Sequence, residues 1–224
     1  MIEPHGGKIV DRIISDRHAE QLQSEVSDEP IIDLNTATYQ DLINISSGRY
    51  SPLDGFMTQN DLLKVAHDMM LEDGTTWPLP IILNIPSETA ADLQVGNKAG
   101  LRSPAGQLVG VIETEEIYKY NTSELVAKIF NTTDKSHPGV QDFYDRNDFV
   151  VGGKVYVSNN EKYNKYDLSP KETRVLFEHR GWETVVGFQT RNAPHRAHEH
   201  IQKSALEMTD GILIQPKLDR KSVV

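Results

Sequence analysis

The sequence has 224 residues, 38% hydrophobic and 25% charged, a composition of folded globular proteins and not of disordered ones. A formal net charge of −10 argues against a nucleic-acid binder, and the lack of any cysteine excludes disulfides, thiolate metal sites and cysteine nucleophiles. No apolar run approaches the ~18 residues of a membrane-spanning helix, and Met1 to Lys8 lacks the pattern of a secretory signal, so a cytoplasmic protein is expected.

Taken in order, Ile9 to Ile14 reads as a short strand or a turn of helix, and His18 to Ser24 as an exposed helix. Ile31 to Leu34 reads as a strand. Thr38, with Asp41 three residues on, has the form of a capping box opening a helix through Ile45, closed by Gly48. Arg49 to Met57 is turn-rich, and its Tyr50, Leu53, Phe56 and Met57 are expected to plug a core. Thr58 caps a helix with Leu62, Val65, Ala66 and Met69 on one face.

From Ile81 the pattern turns to β. Ile81 to Ile85 is one strand, and Ala99 to Arg102 with Gln107 to Glu113 forms a hairpin across Ser103 to Gly106. Ser123 caps a helix carrying Leu125, Val126, Ile129 and Phe130. His137 to Val140 makes a turn, and Phe149 to Val157 is again strand. Many short strands with short helices between them suggest a mixed domain built on a barrel or half-barrel sheet.

Asn159 to Asp167 is polar and lysine-rich and marks a boundary, with Lys154, Lys162 and Lys165 read as a solvated linker face. Ser169-Pro170-Lys171-Glu172 then starts a helix that runs to about Arg180 and stops at Gly181. Thr184 to Phe188 reads as a buried strand. Pro194 fits the first position of a helix carrying His198, Ile201, Ala205 and Met208, and Ile212 to Ile214 follows as a second strand. Helix, strand, helix, strand signals an α/β domain with a parallel sheet. Two such strands and two helices cannot cover both faces of a parallel sheet, so residues 169–224 read as the start of a larger domain.

The turn between the two strands concentrates anion-binding groups. Gln189, Arg191 and Asn192 offer amides and a planar guanidinium suited to a tetrahedral oxyanion. The following helix N-terminus favours negative charge, and His195 and His198, three apart, share one face of its first turn. A phosphate or sulfate site is expected. Two histidines at this spacing are otherwise ordinary surface residues or half of a metal site, but zinc takes three or four protein ligands and no cysteine is present. Arg196 reads as a solvated surface charge, and the other histidines are given no role.

These residues carry a resemblance to the ATP sulfurylase (sulfate adenylyltransferase) family. Gln189-Thr190-Arg191-Asn192 and His195-Arg196-Ala197-His198 resemble that family's Gln-Xaa-Arg-Asn and His-Xaa-Xaa-His motifs, in order and spacing. Tyr50 to Met57, Leu71 to Ile81 and the Met1 to Gly7 start are similar to three further family stretches. The resemblance covers the chain to about residue 216 and implies a mixed α/β protein: a PUA-like β-rich domain over 1–168, then the first, truncated portion of a Rossmann-like nucleotidyltransferase domain over 169–224.

It further implies the reaction of MgATP with sulfate to give adenosine 5′-phosphosulfate (APS) and pyrophosphate. Gln189 and Asn192 would contact the nucleotide and its phosphates, Arg191 would bind sulfate, Thr190 would position the reactants, and His195 and His198 would stabilise the phosphates in the transition state. Mg²⁺ would travel on ATP with no protein-bound metal. Homo-oligomers are common in the family. The family's later Gly-Arg-Asp-His motif and closing loop are not in this sequence, and Asp219 to Val224 departs from the family pattern. The alternative reading is therefore an inactive fragment acting only as a nucleotide- or RNA-binding module.

Overall fold

The protein is seen in a computed structural model that describes residues 3–27, 29–158 and 168–216. The chain divides into two compact units, Pro4–Pro170 and a second that begins at Lys171.

The first unit is built on one seven-stranded sheet. In chain order its elements are β1 (Ile13–Ile14), α1 (Asp16–Glu25), β2 (Ile31–Asp33), α2 (Thr36–Ser46), β3 (Gly55–Phe56), α3 (Gln59–Asp68), β4 (Leu83–Ile85), α4 (Ser87–Asp92), β5 (Lys98–Arg102), β6 (Leu108–Lys119), α5 (Thr122–Phe130), α6 (Pro138–Asp145) and β7 (Phe149–Ser158). β7 is the hub. It runs parallel to β1 and antiparallel to β6, β3 and β4, and the sheet continues from β6 through β5 to β2. A central strand of this kind is buried, and the valine- and glycine-rich composition of β7 suits it: Val150, Val151, Val155 and Val157 are all buried.

Two glycines let three strands cross closely. Gly153 has φ +153°, and a Cβ there would overlap the Glu113 carbonyl of β6. A Cβ on Gly55 of β3 would overlap the Gly153 carbonyl. The core around this crossing includes Ile32, Leu42, Ile45, Leu62, Ile85 and Leu101. Leu53, Phe56 and Met57 enter it as expected, with Tyr50 packed at its margin.

Several local readings change. Asn35, not Thr38, caps α2, its Oδ1 accepting from the Thr38 amide at 2.9 Å; asparagine is the stronger cap and takes the amide first. Asn121, not Ser123, caps α5 through the Glu124 amide. His137 to Val140 is not a bare turn, since His137 caps α6 with Pro138 as its first residue. α3 ends at Asp68, so Met69 (φ 54°, 63% exposed) is its left-handed stop and not part of its buried face. Lys154 lies within β7, 3.3 Å from Glu115, and is not on a linker; Lys162 and Lys165 fall outside the described residues.

The second unit contains α7 (Pro170–His179), β8 (Val185–Thr190), α8 (Arg196–Leu206) and β9 (Gly211–Pro216). β8 and β9 pair in parallel from Val185↔Gly211 to Thr190↔Pro216, with α8 as the crossover. Gly181 (φ +68°) stops α7, and Trp182 folds back between Phe177, 5.7 Å away, and Gly211. Neither α7 nor α8 contains a buried residue. Among the described residues no helix is long and apolar enough to cross a membrane.

Candidate functional site

The sequence places Gln189 and Thr190 in a turn; the structure places them in the last two positions of β8. Alternation along the strand then separates them. Thr190 is buried and Gln189 is exposed. The strand is left through a hydroxyl-closed turn: Thr190 Oγ1 accepts from the Asn192 amide at 3.1 Å and donates to the Asn192 carbonyl at 3.3 Å. Thr190 thus orders the two exposed residues after it, Arg191 and Asn192.

The helix start also differs from the expectation. Pro194 is not the first helical residue; it lies two before it, because His195 is extended (φ −137°, ψ 178°) and is itself the cap. His195 Nδ1 accepts from the Ala197 amide at 3.3 Å, and His198 Nδ1 accepts from the His195 amide at 3.3 Å. The histidines are therefore joined by a reciprocal capping box, not by a shared helical face, and their rings lie 4.1 Å apart. His198 also meets the Phe188 ring edge-on at 5.9 Å, a contact not foreseen because Phe188 reads simply as a buried strand residue.

The capping geometry has a chemical consequence. A backbone amide can only donate, so each Nδ1 that accepts from one must be unprotonated. In the neutral imidazole the proton then sits on Nε2. Both histidines become Nε2–H donors facing away from the helix backbone, the form that can hydrogen-bond an anionic oxygen. Arg191 and Arg196 are both exposed and carry no ion pair among the described residues, whereas Lys203 and Glu199 on α8 pair at 2.5 Å. Within ten residues the chain thus exposes a guanidinium, two side-chain amides and, at a helix N-terminus, a pair of imidazoles in ring contact. Among the described residues no group of three or more histidine, aspartate or glutamate side chains is arranged to hold a metal ion.

Two cavities of the first unit were not signalled by the sequence. One, of about 200 Å³, is lined by Leu53, Phe56, Asp54, Asp61, Glu72 and Lys8. Burial pushes the Asp61 carboxyl above its ordinary value although it accepts from the Glu72 amide at 2.7 Å. The other, of about 260 Å³, is lined by Asn35, Thr38, Asn84, Arg146 and Asp41, whose carboxyl burial also raises.

Residues 2–160 match the PUA-like domain family, and residues 164–223 match the ATP-sulfurylase family. The chain is 42% identical over 215 residues to the sulfate adenylyltransferase of Hyperthermus butylicus, covering 95% of this chain and 55% of that protein. It is 41% identical to that of Halothermothrix orenii and 42% to that of Thermococcus onnurineus, covering 98% of this chain and 58% and 57% of theirs. The chain thus spans little more than half the length of these relatives. Among solved structures it resembles a hexameric APS kinase from Thiobacillus denitrificans, with a TM-score of 0.73 and 28% identity over 96% of this chain and 39% of that one.

Proposed function

Because residues 164–223 match the ATP-sulfurylase family behind a PUA-like domain, and the chain is 41–42% identical to sulfate adenylyltransferases, we propose that Gln189 to His198 form the anion-binding side of an adenylyl-transfer site. The whole protein then converts MgATP and sulfate to APS and pyrophosphate. The observation that carries this is the pairing of the Thr190–Asn192 turn with the His195–His198 capping box at the end of one parallel strand.

The reaction joins two anions. A sulfate oxygen attacks the α-phosphorus, the bond to the β-phosphate breaks, and pyrophosphate leaves. Sulfate is already ionised at neutral pH, so no base is required, and the protein supplies position and charge neutralisation. Arg191 holds sulfate through its planar fork. Gln189 and Asn192 contact the nucleotide and its phosphates, and Thr190 fixes the turn on which Arg191 and Asn192 stand. His195 and His198 donate from Nε2 to the α- and β-phosphates as charge moves to the leaving group, each such contact lowering the barrier by roughly 2–4 kcal/mol. Mg²⁺ enters on ATP, keeps most of its waters and shields the phosphate charge.

We take 168/169 as the boundary between the PUA-like domain and the domain that carries this site, close to the division between compact units after Pro170. An ATP substrate implies a cytoplasmic setting, and the hexameric relative supports a homo-oligomer.

The test is ATP formation from APS and pyrophosphate, with equilibrium binding of APS measured beside it. Arg191→Ala should cut turnover by about 10²–10³-fold and weaken APS binding without changing the melting temperature. Equal binding by wild type and Arg191→Ala would remove Arg191 from the site. Binding without turnover by wild type would leave a nucleotide-binding module.

A further inference from the structure

α8 packs on one face of β8. Side chains alternate along the strand, so Val186, Phe188 and Thr190 lie on one face and are half-buried or buried, while Gly187 and Gln189 lie on the other and are exposed. His198 of α8 meets the first face at Phe188, the two rings 5.9 Å apart and nearly perpendicular, at 86°. In that arrangement the positive edge of one aromatic ring meets the negative face of the other. His198 has two further contacts: the ring of His195 at 4.1 Å, and the His195 amide, which donates to Nδ1 at 3.3 Å. That distance is at the long end for a protein hydrogen bond, and the ring torsion of a histidine is a broad one. One long bond therefore does not hold the imidazole in a single orientation. The usual restraint is a carboxylate or a carbonyl on one ring nitrogen, and neither histidine has one among the described residues. What remains against His198 is the phenyl ring.

We propose that Phe188 is a positioning residue of the adenylyl-transfer site: its ring fixes the His198 imidazole so that Nδ1 takes the His195 amide and Nε2–H stays open to a phosphate oxygen. Phe188 touches no substrate in this role and acts only through His198. One face of β8 then serves the site twice. Thr190 orders Arg191 and Asn192 through its hydroxyl, and Phe188, two residues before it, orders the histidine across the turn. A phenyl ring suits the task because it brings no charge. A carboxylate at that place would draw a proton onto the imidazole, and a protonated Nδ1 would face the His195 N–H donor against donor. The phenyl contact is compatible with a ring that donates from Nε2 and accepts at Nδ1. An aliphatic side chain would fill the same space without the preference for perpendicular rings. The inference rests on the proposed reading of Gln189 to His198 as an anion-binding site, and adds to it a residue that neither its chemical type nor its spacing marks.

The test reads His198 directly, by proton and nitrogen magnetic resonance of the chain at a pH above the ordinary histidine range. Wild type should show through-space contacts between the His198 and Phe188 rings, and ring-nitrogen shifts of a single Nε2–H form. Absence of those contacts, or nitrogen shifts averaged over both tautomers, would overturn the proposal without any variant. Phe188→Leu should average the shifts and speed exchange of the His195 amide roughly two- to tenfold, the population change that an aromatic pair sustains. Phe188→Tyr should restore both, whereas Val186→Ala, on the same strand face but two residues further back, should leave both as in wild type. An undisturbed His198 in Phe188→Leu, no rescue by Phe188→Tyr, or an equal disturbance in Val186→Ala would each reduce Phe188 to packing. In ATP formation from APS and pyrophosphate, Phe188→Leu should lower kcat by the same factor and leave KM for APS unchanged, because the histidine contacts strengthen only in the transition state. An unchanged kcat, or a rise in KM alone, would contradict the role. If wild type makes no ATP, the reaction falls, and the His198 spectrum still decides what Phe188 does.

Discussion

Asp210 and Thr184 clasp the open ends of β8 and β9. Asp210 Oδ2 accepts from the Thr184 amide at 2.8 Å and from its hydroxyl at 2.9 Å, while the Asp210 amide donates back to Thr184 Oγ1 at 3.1 Å. The Glu183 amide adds a third bond to the same carboxylate oxygen at 3.0 Å. The clasp sits beside the first register pair, Val185↔Gly211, and so fixes the alignment that ends, five residues on, at Thr190.

These donors, the Thr184 amide foremost, hold the Asp210 carboxyl below the ordinary carboxylate range. A folded value below the unfolded one, about 3.9, makes the stabilisation complete above that pH; it is lost as pH falls through the lowered folded value. Asp210→Asn keeps an acceptor but cannot titrate. Acid melts of the two proteins should therefore converge as pH drops below about 4, with wild type the more stable above it. Parallel curves across that range would mean the clasp contributes nothing.

Gly211 and Trp182 make a second dependence in the same unit. A Cβ at Gly211 would collide with the Trp182 indole. Gly211→Ala is expected to cost about 2 kcal/mol through overpacking. Trp182→Leu in the same background should recover part of that loss, a coupling that a double-mutant cycle on urea melts reads directly. Strict additivity would show the two sites to be independent.

In the first unit, the crossing of β3, β6 and β7 makes Gly153 irreplaceable. An alanine there meets both a positive φ and the Glu113 carbonyl, neither of which a rotamer change can relieve. Gly153→Ala should destabilise by at least about 2 kcal/mol. Gly106→Ala, also at positive φ but with open space around it, should cost about 1 kcal/mol. Urea midpoints that rank these two the other way would contradict the close crossing.

The capping histidine separates stability from ligand contact. His195→Ala removes the acceptor for the Ala197 amide and should cost up to about 1 kcal/mol. His195→Asn restores a good cap but no imidazole, so it should melt like wild type yet bind APS more weakly. If His195→Asn bound APS as tightly as wild type, the imidazole would have no part in the site.

The legible parts of this protein are those governed by near neighbours in the chain. The strand, polar turn, helix and strand of the second unit follow from apolar periods of two and three to four residues, and Gly181 stops α7 where the sequence says it should; α8 instead ends at Leu206, before the expected Met208 and Asp210-Gly211, because Glu207 already caps it. Of the first unit's helices, α1, α2, α3 and α5 were visible for the same reason, while the short α4 went unread and α6 reads locally as a turn. Their caps were less so: Asn35, Asn121 and His195 each displaced the expected start because several polar side chains compete for the same amide, and geometry picks the winner.

By itself, then, the sequence determined which chemical groups stand together at the turn after β8, because Gln189 to His198 are contiguous and chain connectivity alone keeps them close. Only the tertiary structure decided how they are presented. The Thr190 hydroxyl closing on Asn192 and the two Nδ1 atoms occupied by amides set the turn and the Nε2–H form of both imidazoles. The hub strand β7, which gathers strands beginning at residues 13, 55, 83 and 108, was equally beyond local reading. Pairings across so many residues depend on side-chain fit and backbone approach at glycines, and no short-range pattern encodes them.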